Sequence, residues 1–130
     1  MNINLYDKWN EKKKAIKEVD VLIRERDIWW CKIGKNVGQE QDGVGDNFSR
    51  PIIILKKLDS KTCIILPLTT QENIGSWFYE LENVNNKKAW VMLNQIKLIS
   101  VNRLYYYIGY VKKEDFIKIK KKLISLLDLS

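Results

Sequence analysis

Histidine is absent from all 130 residues. Its absence removes the usual general base at neutral pH, the commonest imidazole metal ligand and every Ser/His or Cys/His nucleophile arrangement. Any chemistry must use other groups. Cysteine is scarce as well: Cys31 and Cys63 are the only two, each inside an apolar, strand-like segment with no second cysteine near enough in sequence to suggest metal ligation. They read as buried thiols, and neither a metal nor a cofactor is expected. No apolar run approaches the roughly 20 residues needed to span a bilayer. The opening MNINLYDKWNEKKK lacks the apolar stretch of a secretory signal. A cytoplasmic location with no membrane partner is the resulting expectation.

The chain carries 45% hydrophobic residues, enough for one compact core, and is too short for two ordinary domains. Its formal net charge of +7 points to an anionic partner. The excess is spread thinly, however. Residues 1–26 hold 7 basic and 5 acidic side chains, residues 27–111 hold 10 and 8, and residues 112–130 hold 6 and 3. A solvated lysine-rich surface explains this as well as nucleic-acid binding does, so charge alone decides nothing.

Residues 2–24 carry Leu5, Trp9, Ile16, Val19 and Ile23 at roughly helical spacing, which predicts an amphipathic N-terminal helix interrupted by Lys12 and Lys13. Ile28-Trp29-Trp30-Cys31-Lys32-Ile33 then turns aromatic and β-branched, as strands are. Between residues 34 and 50 four glycines mix with Asn36, Asp42, Asp46, Asn47 and Ser49, a loop composition long enough to be a functional element. Pro51-Ile52-Ile53-Ile54-Leu55 and Cys63-Ile64-Ile65-Leu66 read as central strands joined by a hairpin. Residues 77–81 and 89–93 form a second strand pair around a turn within 83–88, and 96–101 and 105–111 supply two more strands. From Lys112 the period becomes helical, with Phe116, Ile119, Leu123 and Leu126 on one face and Glu114 and Asp115 at the favourable N-terminal end. Short strands in succession without alternating helices predict a mainly β fold, a small antiparallel barrel with helices at both ends of the chain.

Gly43-Val44-Gly45 is not a phosphate loop, because no third glycine or Lys-Ser/Thr follows and the next element is a strand. Asp42 and Asp46 do not form a calcium loop either, since Val44 and Asn47 occupy positions that need a ligand and a glycine. Both aspartates read as turn formers. The tryptophans Trp29, Trp30, Trp77 and Trp90 are assigned to packing more readily than to base stacking.

Three separated segments gain meaning together: Asp27-Ile28-Trp29-Trp30; Gly38-Gln39-Glu40-Gln41 leading to Arg50-Pro51-Ile52-Ile53-Ile54-Leu55; and Leu66-Pro67-Leu68-Thr69-Thr70. In that order they resemble the MazF/PemK family of toxin endoribonucleases, with its D-I-W strand, G-x-E-Q loop, R-P strand and P-x-T-[TS] strand end. The segment Leu93-Asn94-Gln95-Ile96-Lys97-Leu98-Ile99-Ser100-Val101-Asn102-Arg103-Leu104 is similar to the family's L-x-Q-[IV]-[RK]-x-[IV]-D-x-x-R-L. The stretch DGVGDNFS before Arg50 is longer than in compact members, and Ser100 and Asn94 depart from the family's usual residues.

The resemblance implies an SH3-like barrel of the MazF/CcdB kind, with residues 1–26 as an N-terminal helical extension and 27–130 as the toxin domain. It implies a toxin of a type II toxin-antitoxin system: a metal-independent, sequence-specific endoribonuclease that cuts single-stranded RNA through the ribose 2′-hydroxyl. Arg50, Thr69 and Glu40 would be the catalytic residues, with Gln41, Thr70, Gln95 and Lys97 binding RNA. The implied partners are RNA, a second copy of the chain and a cognate antitoxin with an acidic disordered tail. Because fold does not fix activity, two alternatives stay open: a non-catalytic toxin aimed at a protein such as DNA gyrase, as the related CcdB toxins are, and an inactive family member.

Overall fold

The computed structural model describes residues 22–33 and 49–128. Among these residues, seven strands and one α-helix follow in chain order: β1 (Asp27–Lys32), β2 (Ser49–Lys57), β3 (Thr62–Thr69), β4 (Phe78–Val84), β5 (Lys87–Met92), β6 (Lys97–Ser100), β7 (Leu104–Tyr110) and α1 (Lys113–Leu127). Two short 3-10 turns, Leu93–Gln95 and Val101–Arg103, flank β6. All pairings are antiparallel. The strands run in the order β4-β5-β3-β2-β1-β7, with β6 added on β3. The expected antiparallel β architecture is thus realised as a curled sheet whose path ends at β4 and β7.

β3 is the hub. Its first half, Thr62 to Ile65, pairs with Ser100 to Lys97 of β6, and its end, Leu68 and Thr69, pairs with Val91 and Trp90 of β5. Pro67 sits between these two ladders, where a residue without an N–H costs no ladder hydrogen bond on that side. Alternation along the strands sorts the side chains onto two faces. Ile28, Ile53, Leu66, Leu68 and Val91 pack with Phe116, Ile119 and Leu123 of α1. Trp29, Cys31, Ile52, Ile54, Cys63, Ile65 and Ile99 form a second cluster on the opposite face, which also buries Ile23. The continuous apolar runs of β2 and β3 follow from this, because both of their faces are covered.

Local chemistry fixes the turns. Asn85 and Asn86 have φ of 55° and 69° between β4 and β5, the left-handed pair that a two-residue hairpin needs and that asparagine tolerates. The Asn83 side chain accepts from the Asn86 N–H at 2.9 Å. Between β2 and β3, Asp59 Oδ1 accepts from the Lys61 and Thr62 N–H groups and from the Thr62 hydroxyl, which draws its carboxyl below the usual range. The helix α1 is tied to β4 by the Tyr79 hydroxyl donating to Asp115 at 2.8 Å and by Lys122 Nζ donating to the Phe78 carbonyl at 2.9 Å.

The predicted N-terminal helix falls mainly on residues 1–21, outside the described residues, and it does not reach Arg24 as expected. Residues 22–24 have no regular structure and 25–26 form a turn, with Arg26 at φ 81°. The buried Asp27 carboxylate accepts from the Arg24 N–H at 2.9 Å, while the Arg26 N–H bonds the Ile54 carbonyl and the Val111 N–H bonds the Arg26 carbonyl. These bonds favour a tight turn over continued helix. No helix among the described residues is long and apolar enough to cross a membrane.

Candidate functional site

Arg50 is the second residue of β2, in register with Cys31 of β1. It shares its parity with Ile52 and Ile54, so it extends the face of the second cluster, away from α1. Thr69 closes β3, where Ile65 and Cys63 set the same face. The β2–β3 ladder is in register at Ile52↔Pro67. Continuing that register for two residues brings Arg50 level with Thr69.

On its other side Thr69 is in register with Trp90, and Trp90 with Glu80. Two lateral runs of register pairs therefore approach each other, Glu80, Trp90 and Thr69 on one side and Arg50 and Cys31 on the other. Thr69 and Asp27 are the buried polar residues among those described. The Thr69 hydroxyl oxygen accepts from the Gln71 N–H at 3.1 Å. With an acceptor site occupied from the backbone, the O–H remains as a donor.

The electrostatics of this face are basic. Arg50 is half-buried, and burial pulls its guanidinium below its ordinary pKa. It stays cationic at neutral pH nonetheless. Lys97 is in register with Ile65 and so lies on the same face. Burial pushes the Cys31 thiol up to about 12, while the nearby charges of Arg103 and Lys97 act in the opposite direction. Two further cations thus border the ladder partner of Arg50. Arg103 Nη1 donates to the Lys32 carbonyl at 3.0 Å and to the Ile33 carbonyl at 3.3 Å.

Of the residues expected at the site, Arg50 and Thr69 lie at the same end of neighbouring strands, each two residues beyond the Ile52↔Pro67 pair, and Lys97 lies on the same face. Thr70 is exposed just beyond β3, and Gln95 is half-buried at the end of its 3-10 turn, two residues before Lys97. Glu40 and Gln41 lie outside the described residues. Trp90 is buried, as a packing residue should be, and strand register also sets it across from Thr69. Arg103 was visible as the arginine of an R-L pair, but its contact with β1 spans 71 residues of sequence. Among the described residues, no three His, Cys, Asp or Glu side chains gather as a metal-ligand set. Partly desolvated guanidinium, a hydroxyl donor and flanking cations can together hold a phosphoryl group and stabilise added charge on it.

Known proteins carry the same architecture. The Deinococcus radiodurans MazF structure superposes with a TM-score of 0.68 at 16% identity, covering 83% of this chain and 98% of the other. The Mycobacterium tuberculosis toxin MazF-mt6 gives 0.63 at 19% identity, with 81% and 99% covered. A mycobacterial endoribonuclease solved in complex with its cognate antitoxin gives 0.64 at 16% identity, with 84% and 98% covered. These likenesses establish the fold. No curated protein sequence matches the chain. The family model for the PemK-like, MazF-like toxin of type II toxin-antitoxin systems matches residues 24–127, which include Arg50, Thr69, Trp90, Lys97 and Arg103. The chain belongs to the PemK-like, MazF-like family of toxins of type II toxin-antitoxin systems.

Proposed function

We propose that this toxin is an endoribonuclease that cuts single-stranded RNA at a short sequence, without a metal, by letting the substrate attack itself. The ribose 2′-oxygen bonds to the adjacent phosphorus, the bond to the 5′-oxygen breaks, and the products are a 2′,3′-cyclic phosphate and a 5′-hydroxyl. Arg50 gives N–H donors to the phosphoryl oxygens and to the departing 5′-oxygen, which takes up a proton from Arg50, restored from water, as the bond breaks. Thr69 donates its hydroxyl to the same phosphoryl group. Glu40 takes the 2′ proton, or orients Arg50 while water takes it, and Gln41, Thr70, Gln95 and Lys97 hold the flanking RNA. The observation that supports this reading is the β2–β3 register, which, continued two residues beyond Ile52↔Pro67, would bring Arg50 level with Thr69 on the face that carries Lys97. Such an arrangement lowers the barrier by positioning and charge stabilisation, which need neither histidine nor a metal.

In this reading the protein works as a homodimer in the cytoplasm, with RNA grooves across or beside the dimer interface. Its antitoxin is a small protein whose acidic disordered tail occupies those grooves, answering the basic face by charge complementarity. Incubating the protein with a long RNA and mapping the new 5′ ends tests the function. Ends that recur at one short sequence support it, and RNA left intact at high enzyme concentration contradicts it.

A further inference from the structure

We infer that Arg103 is a positioning residue, a latch that fixes the end of β1 and through it the place of Arg50. The inference rests on the nuclease reading for its catalytic consequence and on observed geometry for the latch itself. The β1–β7 ladder slips its register between Trp30 and Cys31, and its last pair is Cys31↔Leu104. At this point β1 runs out of backbone donors from β7. The residue before Leu104 takes over, since the Arg103 guanidinium donates to the Lys32 and Ile33 carbonyls. Both bonds come from one nitrogen, Nη1, whose two N–H groups can serve the two adjacent acceptors.

The other side of β1 shows why this matters. The β2–β3 ladder begins at Ile52, whereas the β1–β2 ladder runs on through Cys31↔Arg50 to Lys32↔Ser49. Arg50 is thereby tied to the stretch of β1 that Arg103 holds. The closeness of Arg103 to Cys31 appears a second time in the electrostatics of that thiol. Arg103 is itself exposed and could instead be read as one more cation for RNA phosphates. Two carbonyl acceptors already engaged favour the latch.

Arg103→Met removes the donors and keeps most of the stem, while Arg103→Gln keeps an N–H donor without the charge. For each variant, with its thermal midpoint as a check on folding, three quantities are measured. These are kcat and KM for RNA cleavage, the affinity and salt dependence for an uncleavable 2′-O-methyl RNA, and the labelling rate of Cys31 relative to Cys63. The latch predicts that Arg103→Met lowers kcat about tenfold, since small misplacements at a reacting centre are costly. It also predicts unchanged RNA affinity and salt slope, faster Cys31 labelling, and recovery of most of both losses in Arg103→Gln. Unchanged kcat and Cys31 labelling in Arg103→Met overturn the inference. So does weaker RNA binding with a salt slope flatter by roughly 0.7, the mark of one lost phosphate contact, with Gln no better than Met. A parent protein that cuts no RNA overturns the nuclease reading and Arg103's catalytic consequence with it, while Cys31 labelling still decides whether the latch exists.

Discussion

Thr69 stands across the β3–β5 ladder from Trp90, the final pair before β3 ends. The pairing gives the hydroxyl an apolar wall on one side, while the Gln71 N–H occupies the oxygen from the backbone. The strand end therefore presents a donor whose position is fixed before any substrate arrives. Pre-set donors of this kind are worth more in partly desolvated surroundings than in water.

The first prediction concerns the pair. Arg50→Ala should lower cleavage on the order of 100-fold or more, the scale for loss of one transition-state donor, and Thr69→Val should lower it somewhat less. Thr69→Val also strands the Gln71 N–H and should cost about 1 kcal/mol of stability. Single-turnover cleavage with urea denaturation of each variant separates the two effects. Activity equal to the parent in Arg50→Ala contradicts the assignment.

Asp27 gives a prediction with a definite sign. Burial, the dominant cause, raises its carboxyl pKa above 3.8 despite the Arg24 N–H bond. A carboxyl whose folded pKa is raised stabilises the fold when protonated. Its contribution is present below the unfolded value and is lost as pH rises through the folded value. Asp27→Asn keeps an acceptor for the Arg24 N–H and removes the buried charge. The variant's stability relative to the parent should therefore increase as pH rises from about 3 toward neutrality, starting near the ordinary aspartate pKa. Thermal midpoints across that range test it, and a variant that loses ground with rising pH counts against it.

Both thiols should be inert in the folded protein. Cys31 and Cys63 are fully buried, and burial pushes their pKa values up to about 12 and about 11. Because the thiolate is the reactive form, labelling at pH 8 should follow opening of the structure and accelerate in denaturant. Rapid stoichiometric labelling without denaturant would show that the second cluster is not packed as described.

Association is expected from the surface. Leu98 is 63% exposed and Tyr110 64%, large apolar groups that a small sheet leaves uncovered. Light scattering at micromolar concentration should give about twice the chain mass of 15.4 kDa. A strictly monomeric species removes the dimer from the account.

How much the sequence revealed depended on the range of the interaction involved. The strands of β2 and β3 were legible because both faces are covered and their apolar runs are continuous. The helix α1 was legible because Phe116, Ile119 and Leu123 recur at its period. Residues 2–24 misled at their end: Ile23 fits a helical stripe, yet the Asp27 carboxylate and the Ile54 and Val111 backbone groups draw residues 24–26 into a turn. Arg50 and Thr69 stood out only through a resemblance of ordered motifs, since a strand-edge arginine or a strand-end threonine has no signature of its own. The place of Trp90 across from Thr69 and the contact of Arg103 with the end of β1 were hidden because they come from strand register and from chain segments far apart.

The central claim is that the RNA itself supplies the nucleophile while Arg50 and Thr69 stabilise its attack. One measurement tests it most directly: cleavage in EDTA of two RNAs that share the mapped site, one natural and one with the attacking 2′-oxygen methylated, with the product ends identified. The account predicts that the natural RNA is cut to a 2′,3′-cyclic phosphate and a 5′-hydroxyl and that the methylated RNA stays intact. Cutting of the methylated RNA at the same site, a 5′-phosphate on the product, or loss of cleavage in EDTA would contradict it.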